Sequence, residues 1–150
     1  MYHASRKAVT GIVLSAGVIL ASCNKEPETS DVTVSITSPS NGDTISGSAV
    51  RITLAATGIE IAPAADARPE TAHHHLYLDT DFPATETAIP MGAGGVVHLG
   101  QAQTEYHWEN VPPGPHRIIA VLADPGHIPL RPWVTDTVNF VAKPDSVVKK

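Results

Sequence analysis

Residues 32–47 read VTVSITSPSNGDTISG, and this stretch indicates the class of fold. Its first half alternates between apolar and hydroxyl-bearing residues, which is the period of a β-strand with one buried face. The middle, SPSNGD, is rich in residues that favour turns. Together these features predict a short strand, a tight turn and the start of a second strand.

The same pattern returns along the rest of the chain, where turns rich in proline and glycine separate the segments. The segments with a strand-like pattern are 32–36, 50–54, 76–78, 96–99, 104–108, 116–123 and 133–142. No stretch shows a sustained helical period, and HRIIAVLA at 116–123 is apolar on both faces, as in a central strand. About seven short strands predict an all-β fold, an immunoglobulin-like antiparallel β-sandwich. Residues 32–47 also resemble the first hairpin of many bacterial immunoglobulin-like domains.

Composition divides the chain into four segments. We predict a signal peptide at 1–22, a lipidated flexible tether at 23–30, the β-sandwich at 31–143 and a frayed tail at 144–150. The tether is polar after its first residue, as flexible linkers are. Within the sandwich, residues 58–71 are rich in alanine and proline, and they form either a long loop or a loop that holds a short edge strand.

The N-terminus has the pattern of a bacterial lipoprotein signal. Arg6 and Lys7 precede a mainly apolar run at 8–20, which is shorter than the roughly 20 residues of a spanning helix. The run ends in Leu-Ala-Ser-Cys, which resembles the lipobox, and in that class the cysteine, here Cys23, is acylated and becomes the first residue. Asn24, in place of aspartate, favours the outer membrane, with the domain facing the periplasm. The alternative is an ordinary secretory signal with a chance cysteine.

Charge and cysteine content limit the remaining function classes. The formal net charge is −5, and removal of residues 1–22 takes away two bases and no acid, which gives −7. An acidic domain of this kind has no electrostatic footprint for nucleic acid and no attraction to anionic lipid. The chain has one cysteine, so no disulfide forms within it, and it lacks the Gly-x-Ser-x-Gly turn of serine hydrolases. We therefore expect binding, not catalysis, with a protein partner that the sequence does not identify.

The candidate site begins with HHHLYLD at residues 73–79. On a strand, His73, His75 and Asp79 share the face opposite to that of Leu76. Side chains two residues apart stand about 6.6 Å from each other along a strand. Two imidazoles at this spacing can lean onto one metal ion at about 2.0–2.1 Å each.

Other segments supply further candidate ligands. We expect His98 and His127 to join the site, then His116, while Asp79 and Glu105 orient a ring nitrogen from outside the ligand set. With no thiolate and few methionines, the set suits Cu(II) or Zn(II) better than Cu(I). In the alternative there is no metal or other cofactor, and the histidines form hydrogen bonds across the strands of a structural or protein-interaction module.

Three segments carry a resemblance to a bacterial family. AHHHLYLD, VHLGQAQTE and PPGPHRIIAVLADPGHIP resemble motifs of the family known as domain of unknown function 4399, over roughly residues 58–142. The motif positions fall on His73, His75, Asp79, His98, Gln103, Thr104, Glu105, His116, Asp124 and His127. The chain departs from the motifs at Ala72, Leu99 and Gln101, so the loop after His98 differs from the family pattern. The resemblance implies no reaction.

Overall fold

The protein folds into a β-sandwich in a computed structural model that describes residues 31–144. The strands are β1 (Thr33–Ser38), β2 (Thr44–Ser46), β3 (Val50–Thr57), β4 (Glu60–Ile61), β5 (Thr71–Leu78), β6 (Val96–Leu99), β7 (Glu105–Trp108), β8 (Gly114–Ala123) and β9 (Thr135–Lys143). Each of the seven predicted segments overlaps a strand, and the predicted immunoglobulin-like sandwich is confirmed. The two remaining strands, β2 and β4, have three and two residues. They lie in the stretches 32–47 and 58–71, where the sequence predicted the start of a strand and offered a short edge strand as one alternative.

Several predictions about the chain ends fall outside this range. The signal peptide, the tether with Cys23 and all but the first residue of the predicted tail lie outside the described residues. Within residues 31–144 there is no helix with the length and apolar character needed to cross a bilayer.

The strands form two sheets. The smaller sheet has the order β1-β3-β7, and the larger has the order β2-β9-β8-β5-β4, with β6 also paired to β5. One edge of β5 is shared, because β4 pairs with residues 71–72 and β6 with residues 74–77. Segment 58–71 is thus a loop that holds a short edge strand. The β2–β9 and β4–β5 pairs are parallel, so the sandwich is not purely antiparallel.

Residues 32–47 do not form the hairpin that their resemblance predicts. β1 pairs with β3 in the smaller sheet, whereas β2 pairs with β9 in the larger one. Hydrogen bonds draw the turn onto β9, because the amide of Gly42 donates to the carbonyl of Asn139 at 2.6 Å and that of Val141 donates to the carbonyl of Asp43 at 2.8 Å. The SPSNGD turn therefore carries the chain from one sheet to the other.

The sandwich core lies between the two sheets. Alternate residues of the paired strands fill it, as the period of two requires. Its buried members include Val34, Ile36, Val50, Ile52, Leu54, Leu76, Ile118, Leu122, Val138 and Phe140.

The larger sheet is buried on its outer face as well. There Tyr77, Val121 and Ala123 pack with Ile89, which belongs to the loop between β5 and β6, residues 79–95. The amide of Ile89 donates to the carbonyl of His127 at 2.9 Å, which joins this loop to the turn after β8. Antiparallel sheets commonly leave one face to solvent. Here loops cover that face, and the first seven of the eight residues of β5 are buried.

Candidate metal centre

Strand β5 directs its three consecutive histidines to two different places. His74 points into the sandwich core, where its Nδ1 lies 3.2 Å from the carbonyl oxygen of Gln103. His73 and His75 point to the outer face, opposite Ala123 and Val121 of β8. These partners have short side chains, so the outer face has room for two imidazole rings. The prediction that His73 and His75 share a face opposite Leu76 agrees with this arrangement.

His98 reaches the same face from the neighbouring strand. In the antiparallel register of β5 and β6, His98 stands directly opposite His75, so the two side chains project to the same side. Its ring lies over Gly100, where a Cβ atom would overlap the Cε1 and Nε2 atoms of the imidazole. The missing side chain of Gly100 therefore creates the space that the ring occupies.

His127 comes from the turn Asp124-Pro125-Gly126-His127. Its φ of +66° lies in the left-handed region, which residues other than glycine adopt uncommonly. Asp124 holds this geometry, because its carbonyl accepts the amide hydrogen of His127 at 2.8 Å and its carboxylate accepts that of Ile128 at 2.9 Å. A specifically held backbone of this kind is common at functional sites.

The four side chains meet as one group, which we call the histidine cluster: His73, His75, His98 and His127. The ring centroid of His73 lies 4.9 Å from each of the other three. The His98 centroid lies 4.7 Å from that of His127 and 5.0 Å from that of His75, and the widest pair, His75 and His127, is 5.8 Å apart. Among the described residues, ligand atoms of His73, His98 and His127 lie within 4.8 Å of one another.

Ring nitrogens in the cluster lack hydrogen-bond partners. The Nδ1 atoms of His73 and His75 and the Nε2 atoms of His98 and His127 are buried without one. The Nε2 atoms of His73 and His75 lie 3.0 Å apart and share one hydrogen bond. Buried polar atoms are nearly always partnered in proteins, so four unpartnered nitrogens in one place require an explanation. A metal ion satisfies several imidazole lone pairs at once.

Two members of the predicted set lie at the opposite end of β5, which corrects the prediction. The strand ends at Leu78, and Asp79 has a φ of +53°, so its carboxylate turns away from the face of the cluster. It accepts hydrogen bonds from Nδ1 of His116 at 2.6 Å and from the amide of Arg117 at 2.9 Å. Nε2 of His116 faces the carbonyl of Pro112 at 2.7 Å, so both ring nitrogens of His116 are occupied.

Glu105 also lies away from the cluster. It is on β7, in the smaller sheet, whereas His98 is on β6 in the larger sheet. Its carboxylate contacts Arg51 at 2.6 Å and His107 at 2.8 Å. Hydrogen bonds from these two side chains lower the pKa of Glu105 to about 2. Proximity to His98 along the chain suggested a common site, but the chain passes from one sheet to the other between them.

Gly100 is the member of the site that sequence reasoning missed. A signal for it exists, because a glycine two residues after a strand histidine stands where the next side chain on that face would stand. Glycine in such a position often marks the close approach of another group.

The sequence of the domain matches a family of proteins. The family described as Domain of unknown function (DUF4399) matches residues 52–142. The chain belongs to this family. The histidine cluster lies entirely within the matched residues, so it is a feature of the DUF4399 domain of this chain.

The DUF4399 domain also resembles solved structures of other β domains. The fibronectin(III)-like modules of CbhA from Clostridium thermocellum are 20% identical, with a TM-score of 0.48, over 76% of this chain and 100% of that chain. The PKD domain of human KIAA0319 is 13% identical, with a TM-score of 0.41, over 91% of this chain and 97% of that chain. The CARDB domain of a Pyrococcus furiosus protein, in complex with di-metal ions, is 14% identical, with a TM-score of 0.39, over 77% of this chain and 94% of that chain. These likenesses concern the fold alone. No curated protein sequence matches the chain.

Burial lowers the pKa of three rings of the cluster in this DUF4399 domain. Burial first, and the neighbouring imidazoles second, lower the pKa of His73 from 6.5 to about 4 and that of His75 from 6.5 to about 3. Burial and His127 also lower the pKa of His98. An imidazole must be neutral to bind a metal. At neutral pH, protons therefore do not compete for the lone pairs of His73 and His75.

We expect the metal-free protein to lose stability as the pH falls below about 6.5. The unfolded chain binds protons at its histidines near pH 6.5, whereas the folded chain binds them at His73 only near pH 4 and at His75 only near pH 3. Between these values the unfolded state holds more protons, so the free energy of unfolding falls with the pH and is fully retained only above 6.5. For His73 alone the loss at pH 4 is about 3 kcal/mol.

Urea unfolding of chelator-treated protein between pH 7 and pH 4 measures this loss. The double variant His73→Leu, His75→Leu should show a shallower pH dependence. The control is His107→Gln, which removes an exposed histidine from the edge of the smaller sheet. If the free energy of unfolding falls equally steeply with pH in the wild type and in the double variant, His73 and His75 do not have the lowered pKa values described above.

Proposed function

We propose that this protein is a metal-binding domain that holds one Cu(II) or Zn(II) ion at the histidine cluster. The observation that carries the proposal is the convergence of four imidazoles, two buried and two partly buried, from β5, β6 and the turn after β8. A histidine with a purely structural role needs partners for its own two nitrogens, as His116 has. It does not need three other neutral histidines around it.

The chemistry of the donors supports these metals. All members of the cluster are imidazoles, which suit copper and zinc, whereas magnesium and calcium take oxygen ligands. Nitrogen atoms that bind one tetrahedral zinc ion at 2.0–2.1 Å are about 3.3 Å apart. The ligand atoms of His73, His98 and His127 already lie within 4.8 Å of one another. Small rotations of the rings would bring them onto one ion.

The second candidate is a metal-free structural or protein-interaction module. The backbone hydrogen bond from Ile89 to His127 favours it, because it links two segments that cover the outer face. The hydrogen bond between His73 and His75 also favours it, because it partners two ring nitrogens without a metal. This function leaves four ring nitrogens without partners, and each buried unpaired group costs about 1–3 kcal/mol. Metal binding removes most of that cost, so we favour it, and we propose a binding protein and not an enzyme.

Calorimetric titration of the purified protein with Cu²⁺ and Zn²⁺ tests the function. We expect saturable binding of one ion per chain. His73→Ala and His127→Ala should each weaken metal binding by more than about 100-fold. Loss of a residue that only hydrogen-bonds to a metal ligand already lowers the affinity 10–100-fold. His107→Ala, on the smaller sheet, is the matched control and should bind as the wild type does. The absence of saturable binding for both metals, with lowered melting temperatures in the cluster variants, would favour the structural module.

Gly100→Ala tests the ring position of His98 without removing a ligand. The new Cβ would occupy the space of the imidazole, so we expect the ring to swing out of the cluster and the metal affinity to fall at least 10-fold. The φ of Gly100 lies outside the left-handed region, so alanine should fold there. Gly94→Ala is the control, because a Cβ at Gly94 meets nothing within 4 Å. Wild-type affinity in Gly100→Ala would remove His98 from the ligand set.

We also propose that the domain is a lipoprotein, anchored through Cys23 to the outer membrane and facing the periplasm. The charged start, the short apolar run and the Leu-Ala-Ser-Cys sequence support the anchor, and Asn24 supports the outer membrane. The boundaries of this organisation are 1–22 for the signal, 23–30 for the tether, 31–143 for the sandwich and 144–150 for the tail. Several acyl chains on one residue would give stable attachment.

Membrane fractionation and mass spectrometry of the N-terminal peptide test the anchor. In a Gram-negative host we expect the protein in the outer-membrane fraction, with an acylated cysteine as its first residue. Cys23→Ser should abolish the acyl mass and release the protein from that fraction. A mature chain that begins at another residue, or that carries no acyl mass, would contradict the proposal.

A further inference from the structure

We propose that three histidines of the cluster, His73, His98 and His127, hold the metal ion, and that its remaining position takes a small inorganic anion or water. The fourth histidine, His75, is a positioning residue that acts through His73. This inference rests on the proposed metal binding and specifies what the bound ion can itself bind.

Hydrogen bonding assigns the nitrogen that His73 offers. A neutral imidazole carries one hydrogen, so one nitrogen is a donor and the other holds a free lone pair. Nε2 of His73 is engaged by Nε2 of His75 at 3.0 Å. When His73 donates in this bond, its lone pair lies on Nδ1, which is buried and has no partner. Each of the three proposed ligands then offers one unpartnered nitrogen, since Nε2 of His98 and of His127 are also buried without one.

Distance places His75 outside the ligand set. Its ring is 5.8 Å from that of His127, the largest separation in the cluster. The group of ligand atoms within 4.8 Å contains one atom each from His73, His98 and His127, and none from His75. His75 accepts the hydrogen of His73 and so fixes both the tautomer and the orientation of that ring, which is the usual role of a partner behind a metal-bound histidine.

Charge indicates what the fourth position binds. Three neutral imidazoles leave both charges of a divalent ion uncompensated, and a buried uncompensated charge is costly. The carboxylate next to the cluster in sequence, that of Asp124, is engaged by the amide of Ile128. A small anion supplied from solution would compensate at least one of these charges. His98 and His127 are only partly buried, so the side of the cluster that they form is the one that solvent reaches.

Cobalt substitution distinguishes an open site from a closed one. The purified protein is loaded with Co(II), whose visible absorption bands depend on the number and type of its ligands, and sodium azide is then added. We expect the bands to shift saturably with azide. His75→Gln retains a hydrogen-bonding group for Nε2 of His73, so it should keep the cobalt bands and the azide response. His75→Leu should keep both but lower the Co(II) affinity 10–100-fold.

The outcomes separate this inference from the proposed function. Cobalt bands that azide does not move, together with loss of those bands in both His75→Gln and His75→Leu, would show a closed site with four histidine ligands. That result would overturn the inference and leave metal binding intact. If Co(II), Cu²⁺ and Zn²⁺ all fail to bind the wild-type protein, the proposed function itself fails and the inference fails with it. The azide titration uses the wild type, so it does not depend on the folding of a variant.

Discussion

The packing of four imidazoles against one another, on a sheet face that loops largely cover, is the constraint on which the chemistry of the site depends. Neighbouring rings and burial both oppose a positive charge on His73 and His75, which lowers the pKa of each. The same packing leaves ring nitrogens without partners. Protonation of His73 and His75 is thus made unfavourable, and the metal ion that we propose would satisfy several of the free lone pairs at once.

The fold prepares this environment by burying β5 on both faces. Toward the smaller sheet, Leu76 and its neighbours form an ordinary sandwich core. Toward the outside, the loop at 79–95 and the turn that carries His127 form a third layer over the larger sheet. A two-sheet sandwich offers a small domain no such enclosed polar space. The third layer supplies it without a second domain and without a disulfide.

The sequence predicted the parts of this arrangement that depend on local periodicity. The alternation of strands placed His73 and His75 on one face, and it revealed the seven longer strands because each buries a row of apolar residues. It could not reveal that β2 pairs with β9 and not with β1, or the bend at Asp79, where a left-handed residue ends the strand. Glu105 was assigned to the site because it follows His98 closely, but distance along the chain does not show which sheet a strand joins.

The third layer was beyond prediction for a different reason. Its contacts, such as the hydrogen bond from Ile89 to the carbonyl of His127, join loops that carry no regular pattern. His127 itself was predicted to join the site, although the sequence did not show that Asp124 holds its turn by its carbonyl and its carboxylate. Gly100 was overlooked because the role of a glycine depends on the group that packs over it. Here that group is the imidazole ring of His98, two residues earlier in the chain.

The origins of the ligands suggest how such a site would assemble. His73 and His98 stand on paired strands whose positions are fixed by the sheet and its core. His127 stands on a turn, and the carbonyl of the same residue holds the loop at 79–95 through Ile89. A ligand that binds only the folded state stabilises it in proportion to its affinity. An ion bound to all three would therefore join two rigid strands to the least regular part of the domain, and its binding energy would stabilise the loops that cover the outer face of the larger sheet.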